Sequence, residues 1–434
     1  MRMAGFTVAL ALMVIVSTIA VRVDGNEFSH HKEVKILRHL KRLNKPPVKS
    51  IKSEDGDVID CVPITNQPAF DHPLLKHHTI QMRPSFHPRS DSTYTKKEAK
   101  TITQVWHKAG ECPNNTVPIR RTKKEDLLRP KSIESFGRKP PHSIPKSTTF
   151  DPTKGHQYAL MSAMNETFYG TEVLINLWKP YVQVPEEFSL AQTWIVSGSG
   201  SSLNTIEAGW QVYPELYDDY NPRFFVYWTV SNFFQLLLIS SASIDRLILL
   251  QLILNSFKKR DGYQTTGCYN LLCSGFVQTS NEYSVGGAYT TVSSYGGTQY
   301  EISILIYKDR ETGNWWLSLF NDIIGYWPGS LFTSLGDGAT IVQWGGEIVN
   351  LETGGKHTST DMGSGYFADE GNKKASYFRN LQIVDGTNTL REPKSLYYSA
   401  DKQNCYNVKT GTTAGTNWGI NFFYGGPGRN VKCP

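Results

Sequence analysis

The chain has 434 residues, enough for two or three domains and a sizeable core. Its net charge of +6 is unevenly split: residues 1–146 hold 26 Lys+Arg against 14 Asp+Glu, whereas 147–434 hold 19 against 25. A basic front half fits a nucleic-acid binder, but an N-terminus that reads as a secretory signal argues against that class. A basic pro-segment lying on an acidic domain explains the split better.

In chain order, Arg2 gives the positive start of the signal and Gly5 to Val21 its apolar run, with the small or polar residues Ser17, Ala20 and Gly25 toward and after its end; this predicts a signal peptide over 1–25. The run is short for a spanning helix, so an uncleaved anchor is the lesser reading. Val34, Ile36, Leu37, Leu40 and Leu43 mark one face of a short helix, which Lys45-Pro46-Pro47 ends. Residues 48–115 are polar and dotted with proline, with strand-like runs such as Val58-Ile59-Asp60-Cys61-Val62. Together, 26–127 predict a small mixed α/β pro-segment. Residues 128–150 are basic and proline-rich, the composition of a linker open to processing. His72, His77 and His78 read as solvated or pH-sensitive groups of the pro-segment rather than metal ligands.

From 151 to 434 the texture is all-β. Short runs such as Glu172–Trp178, Leu190–Val196, Ile206–Tyr213, Arg223–Thr229 and Ile341–Val349 alternate with Gly/Ser/Asn/Asp turns. This predicts an antiparallel, jelly-roll-like β-sandwich. One stretch breaks the pattern. Residues 230–260 contain eight Leu and four Ile but no Gly, Pro, Trp or Tyr. A buried helix is one reading; a translated intron or mispredicted insertion is the preferred one.

Export makes the six cysteines disulfide partners, and their order suggests the local pairs Cys61–Cys112, Cys268–Cys273 and Cys405–Cys433 among fifteen connectivities. No spacing supports zinc, and no cofactor is expected. Asn114-Asn115-Thr116 and Asn165-Glu166-Thr167 are glycosylation sequons at Asn114 and Asn165.

Two glutamates carry the chemistry, Glu207 in Ile206-Glu207-Ala208-Gly209-Trp210 and Glu347 in Trp344-Gly345-Gly346-Glu347-Ile348. Two carboxyls facing each other in a β cleft share one proton and so supply both an acid and a base. Gln343, Trp210 and Trp344 are candidate donors to a developing oxyanion. The residues alone leave which glutamate is the base open.

Several ordered motifs resemble the plant neprosin family. The activation peptide is carried by Leu43-Asn44-Lys45-Pro46, Gly56-Asp57-Val58-Ile59-Asp60-Cys61, Gln67-Pro68-Ala69-Phe70-Asp71-His72-Pro73-Leu74 and Cys112-Pro113. The peptidase region is carried by Gln192-Thr193-Trp194-Ile195, Ile206-Glu207-Ala208-Gly209-Trp210, Thr266-Gly267-Cys268-Tyr269-Asn270-Leu271-Leu272-Cys273 and Phe422-Phe423-Tyr424-Gly425-Gly426-Pro427-Gly428-Arg429. The resemblance implies a secreted glutamic endopeptidase made as a zymogen and cleaving after proline. It also implies Glu207 and Glu347 as the catalytic pair and disulfides at Cys268–Cys273 and Cys405–Cys433. Acid activity follows from the shared proton. The expected partners are a protein substrate and the chain's own pro-segment as inhibitor, with no nucleic acid and no stable membrane anchor; the expected location is extracellular.

Two other classes fit the same residues. Paired glutamates on a jelly roll also describe glycoside hydrolases, and residue chemistry alone leaves peptide and sugar near even. A non-catalytic wall or apoplast binding protein would keep the fold and its aromatics without turnover.

Overall fold

The computed structural model describes residues 32–90, 102–130, 132–139, 155–230, 267–411 and 418–434. The expected signal at 1–25 lies outside them, as does the apolar stretch at 230–260 apart from Val230.

The pro-segment is small and mixed, as expected. Helix α1 spans 32–43 and packs Ile36 and Leu43 inward. Strands β1 (Lys49–Lys52), β2 (Val58–Pro63) and β4 (Thr116–Arg120) form a three-stranded antiparallel sheet. The Cys61–Cys112 disulfide packs beneath it with Ile51, Ile59 and Trp106. The short strand β3 (Arg89–Ser90) and helix α2 (Lys124–Leu128) complete it.

The remaining strands build two layers. They are β5 (His156–Ala163), β6 (Gly170–Asn176), β7 (Ser189–Ser197), β8 (Asn204–Val212), β9 (Arg223–Thr229), β10 (Cys268–Tyr269), β11 (Val277–Gln278) and β12 (Glu301–Lys308). They continue with β13 (Trp315–Leu319), β14 (Asp322–Trp327), β15 (Ile341–Val349), β16 (Ser376–Val384), β17 (Thr389–Arg391), β18 (Leu396–Ala400), β19 (Asn407–Thr410) and β20 (Phe422–Gly425). One sheet is seven-stranded and antiparallel throughout, in the order β10-β9-β8-β7-β15-β5-β18. The other runs β11-β14-β13-β12-β6-β16-β17-β3, with β20 against β16 and β19. The pro-segment's β3 adds to its edge in parallel, Arg89 opposite Thr389.

Strand alternation divides the faces. Ile206, Ala208 and Trp210 of β8 and Val342, Trp344 and Ile348 of β15 point between the layers, where they meet Ile304, Ile306, Trp315, Leu317 and Phe378 of the opposite sheet. That interdigitation is the sandwich core. The alternate residues of the seven-stranded sheet face outward, yet they are buried as well. Leu160, Trp194, Phe225 and Tyr269 pack there against Ile36, Leu43 and Leu127 of the pro-segment and Ile133 and Phe136 of the 128–150 stretch that follows it. On the far side of the sandwich, Tyr307, Trp316 and Tyr326 pack against Ala69, Phe70, Ile80 and Phe86. The pro-segment therefore grips both outer faces. His78 bonds the Tyr326 hydroxyl at 2.7 Å, and His72 Nδ1 accepts from Leu74 N. Both are part-buried partners whose pKa burial pushes down, rather than solvated groups.

A buried ionic contact joins pro-segment to sandwich. Arg223 of β9 is fully buried and donates to Asp57 Oδ2 at 2.6 Å, to the Gly286 carbonyl and to Asp219. Asp57 also accepts from Arg120 at 2.8 Å. Burial alone would raise the Asp57 pKa; the two guanidinium groups outweigh it and hold the carboxyl below its ordinary range. The sign is opposite to the simple picture of a basic pro-segment on an acidic domain, since here the carboxylate belongs to the pro-segment. Replacing Arg223 with Met strands Asp57 beside a single partner. The expected loss is about 3 kcal/mol of unfolding free energy at pH 7, read from urea denaturation of the full chain. Because the folded pKa of Asp57 is depressed, this contribution is present above pH 3.8 and fades as pH falls through the lowered value. A variant as stable as the parent at pH 7 would remove Arg223 from the latch.

Candidate active site

The two glutamates stand on strands that flank the same neighbour. Glu207 of β8 lies opposite Trp194 of β7, and Glu347 of β15 lies opposite Leu190 of β7. Both side chains project from the outer face of the seven-stranded sheet, and both are fully buried. Between them on β7 is Gln192, whose cross-strand neighbours are Gly209 on one side and Gly345 on the other. A Cβ at Gly209 would sit 2.0 Å from the Ala191 carbonyl oxygen. Glycine is therefore required there, where β8 runs close against the β7 backbone beside Gln192. Each glutamate has its glycine two residues away on the same face, which gives the Gly-rich motifs a physical reason.

The two carboxylates converge. Gln192 Nε2 donates to Glu207 Oε2 at 3.1 Å and to Glu347 Oε2 at 3.4 Å. Glu207 Oε1 accepts from Thr205 Oγ1 at 3.0 Å. Glu347 Oε1 pairs with His156 Nδ1 at 2.7 Å and accepts from the Tyr158 hydroxyl at 3.4 Å.

The pair is not empty. Lys139, from the 128–150 stretch expected as an open linker, is instead completely buried and places Nζ 2.6 Å from Glu207 Oε2 and 3.3 Å from Glu347 Oε2. Its ammonium also lies 5.1 Å from the centre of the Tyr227 ring. The chain reaches this point because Tyr269 N donates to the Gly137 carbonyl at 2.8 Å, while Ile133 and Phe136 fill the aromatic floor. Gly137 has a φ of +76°, and a Cβ there would meet Leu272 at 2.9 Å, so this bend also needs glycine. In this state a lysine ammonium occupies the place expected for the shared proton.

The electrostatics follow from that ammonium. Burial pushes the Glu347 pKa up, but Lys139 and the His156 bond outweigh it and hold the carboxyl below its usual range. Burial opposes charge on Lys139 as well, yet the two glutamates raise its pKa. Tyr158 is held well above its ordinary value by burial and then by Glu347, so it stays a hydroxyl donor.

The candidate oxyanion donors fare differently. Gln343 shares the outward face of β15 with Glu347 but gives its amide N–H to Ser162 Oγ at 3.0 Å. The tryptophans correct the sequence reading. Trp210 donates to the Asn176 carbonyl at 2.9 Å and Trp344 to Thr171 Oγ1 at 3.0 Å, both within the sandwich core. The period of two puts each on the face opposite its neighbouring glutamate. Lys139, His156, Tyr158, Thr205 and Gln192 also belong to the site and were not among the residues expected there. A residue two places from Glu207 on its own strand, such as Thr205, was open to the alternation argument; Gln192 and His156 depend on strand order, which the pattern does not give.

The disulfides join Cys61–Cys112, Cys268–Cys273 and Cys405–Cys433, as their order suggested. His357 lies near Cys405 and Cys433, but these sulfurs are bonded to each other and have no thiolate to offer a metal. Asn114 and Asn165 are both exposed. No described helix is long and apolar enough to cross a membrane.

Comparison with known proteins agrees with the chain order. The Neprosin activation peptide profile matches residues 50–162, past the expected boundary at 127 and through the strand that carries His156 and Tyr158. The Neprosin profile matches 185–235 and 251–427, breaking inside the apolar stretch. Among solved structures, scytalido-glutamic peptidase with a peptide-based transition-state analogue aligns at 8% identity and a TM-score of 0.31, covering 63% of this chain and 98% of that one. SCP-B, a member of the eqolisin family of peptidases in complex with the tripeptide Ala-Ile-His, aligns at 7% identity and 0.30, with the same coverages. The two profiles together span the pro-segment and most of the sandwich, and the chain belongs to the Neprosin family, activation peptide included.

Proposed function

We propose that this chain is the precursor of a secreted glutamic endopeptidase, latent in this conformation and active once residues 132–139 leave the cleft. The observation that carries the reading is the pair of buried carboxylates, Glu207 and Glu347, joined by one amide and capped by one lysine of the pro-segment. Such a cap makes sense over a reacting centre.

With Lys139 withdrawn, two carboxyls remain on one floor, where like charges cannot both ionise cheaply. One holds a proton. The ionised partner takes a proton from a water molecule, whose oxygen attacks the scissile carbonyl carbon. The protonated partner then passes its proton to the carbonyl oxygen or to the leaving nitrogen, so that one water is consumed and an acid and an amine are formed. Gln192 donates where the oxyanion would develop.

Acid pH favours both release and turnover. The folded pKa of Glu347 is depressed in the capped state, so its ion pair with Lys139 stabilises the latent form above about pH 4.5 and weakens as pH falls through the lowered value. A floor of Trp194, Phe225 and Tyr227 is suited to stacking on a proline ring, which supports the cleavage after proline that the family resemblance implies. Six paired cysteines and exposed sequons at Asn114 and Asn165 support the secretory route and glycosylation. The break in the family match between 235 and 251 supports residues 230–260 as an inserted segment.

The test is direct. The processed protein, made with and without 230–260, is assayed on a proline-containing peptide from pH 3 to 7 and on wall polysaccharide for reducing ends. Amine release on the acid side is the expected result. Reducing-sugar release alone would replace the reading with a glycoside hydrolase, and folded protein without turnover would replace it with a binding protein.

A further inference from the structure

The two glutamates are not equivalent in their surroundings. We propose that His156 is a positioning residue that commits Glu347 to the role of base and thereby leaves Glu207 as the acid; this rests on the peptidase reading above.

Three observations carry it. First, the inner oxygens Oε2 of both glutamates share the same two donors, Lys139 at 2.6 Å from Glu207 and 3.3 Å from Glu347 and Gln192 at 3.1 and 3.4 Å, so what favours Glu347 as the charged partner lies at its other oxygen, Oε1. Second, Glu347 Oε1 pairs with His156 Nδ1 at 2.7 Å and accepts from the Tyr158 hydroxyl at 3.4 Å. Glu207 Oε1 has the Thr205 hydroxyl, which also exchanges a bond with Thr229 Oγ1 and can turn to accept. Bonds donated to the charged form favour it, as those from His156 and Tyr158 do at Glu347, and a carboxylic acid is accommodated where a neighbour can accept, as Thr205 can at Glu207. Third, His156 Nε2 is buried and has no hydrogen-bond partner among the described residues. The ring lies against Phe188 and nearly parallel to Tyr158, and its side chain is 4% exposed. Such a setting has no acceptor for an Nε2–H, so the ring puts its proton on Nδ1, toward Glu347.

When the pro-segment leaves, Lys139 goes and His156 stays, because it belongs to β5 of the sandwich. The asymmetry thus survives activation. The titratable groups around the pair are then His156, Tyr158, Tyr227 and Tyr269, with Asp401 beyond Tyr158, to whose backbone N–H it is bonded at 3.0 Å. Of these, His156 and Tyr158 bond Glu347, and the tyrosine stays neutral throughout the acid range.

The experiment uses the processed protein with His156→Ala, His156→Asn and His156→Gln, each checked for folding by its thermal transition. In the Ala variant the acid limb of the kcat/KM profile moves up by about one pH unit, since Glu347 loses a donor that favours its charged form. Gln or Asn, which keep an N–H on a short stem, restore part of the shift. The second readout needs no substrate: carbon-13 labelled glutamate reports the Glu347 carboxyl titration directly, and it moves upward in the same order of variants. If turnover is absent in the parent, the peptidase reading fails while this titration still decides the role of His156. An unmoved acid limb and an unmoved Glu347 titration would overturn the proposal, even if overall activity fell.

Discussion

Replacing Lys139 with Ala in the full chain converts a latent protein into one that processes itself at pH values where the parent is stable. The lysine places one ammonium within bonding reach of both carboxylates, and all three groups are buried. Removing one partner of a buried ion pair costs about 3–5 kcal/mol, because the remaining charges are left in a poorly solvated site. At pH 7 the variant should therefore lose about 5 °C or more of melting temperature relative to the parent. The gap has a predictable pH dependence. Glu347 has a depressed folded pKa, so the stabilisation given up by the variant exists above about pH 4.5 and disappears as pH falls through the lowered value. Parent and variant should thus converge on the acid side of that value. Cleavage of the variant precursor near neutral pH should be faster by about two orders of magnitude, the kinetic equivalent of roughly 3 kcal/mol. It will not reach the rate of the mature enzyme, because Ile133, Phe136 and the Tyr269–Gly137 bond still hold the segment in the cleft. Equal melting temperatures at pH 7 and equal processing rates would show that the backbone, not the lysine, blocks the site.

How much of this was legible in the sequence depends on the range of the interactions involved. Alternating residues in Ile206–Tyr213 and Ile341–Val349 announced strands, because a period of two is local. The two glutamates stood out because each sits in a Gly/Trp-rich segment that resembles a family motif, and the spacing of two to Gly209 and Gly345 takes its meaning only from the sheet. The same alternation also held the information that Trp210 and Trp344 face away from the glutamates; adjacency in sequence was read as adjacency in space. Gln192 stands in a recognisable motif but could not be placed between Glu207 and Glu347 until β7 was known to lie between β8 and β15. That order is set by the non-local pairing of Gln192 with Gly345, and no local pattern encodes it. Lys139 was hidden differently. One lysine among many in a basic linker carries no distinguishing signal, and only the converging carboxylates single it out. Charge counting anticipated attraction between pro-segment and sandwich, but not that one of its deepest contacts, Asp57 with Arg223, would have the opposite polarity.

The largest effect expected in the mature protein comes from the two carboxyls themselves. On the proposed assignment, Glu347→Gln removes the group that takes a proton from water, and an amide cannot replace it. Loss of a nucleophile-activating base within a unit of this kind costs on the order of 10⁴–10⁶ in kcat. Glu207→Gln differs in kind. Glutamine is neutral, nearly isosteric with a protonated glutamate, and still presents N–H donors toward the substrate oxygen, so polarisation of the carbonyl persists while proton delivery is lost. A residual rate above that of Glu347→Gln is expected, by roughly tenfold or more if proton delivery contributes about 10²–10⁴ and donation recovers a part. The double variant should be no slower than Glu347→Gln alone, since groups that act as one unit do not contribute additively. The pH profile provides the internal check. With Glu347 as the sole titrating member, Glu207→Gln abolishes the coupling between the carboxyls, so the bell should collapse toward a single acid limb. If Glu207→Gln were instead the more damaging change, with the profile of Glu347→Gln retaining a lone acid limb, the roles would be reversed and the bond from His156 would be holding the acid in place rather than the base.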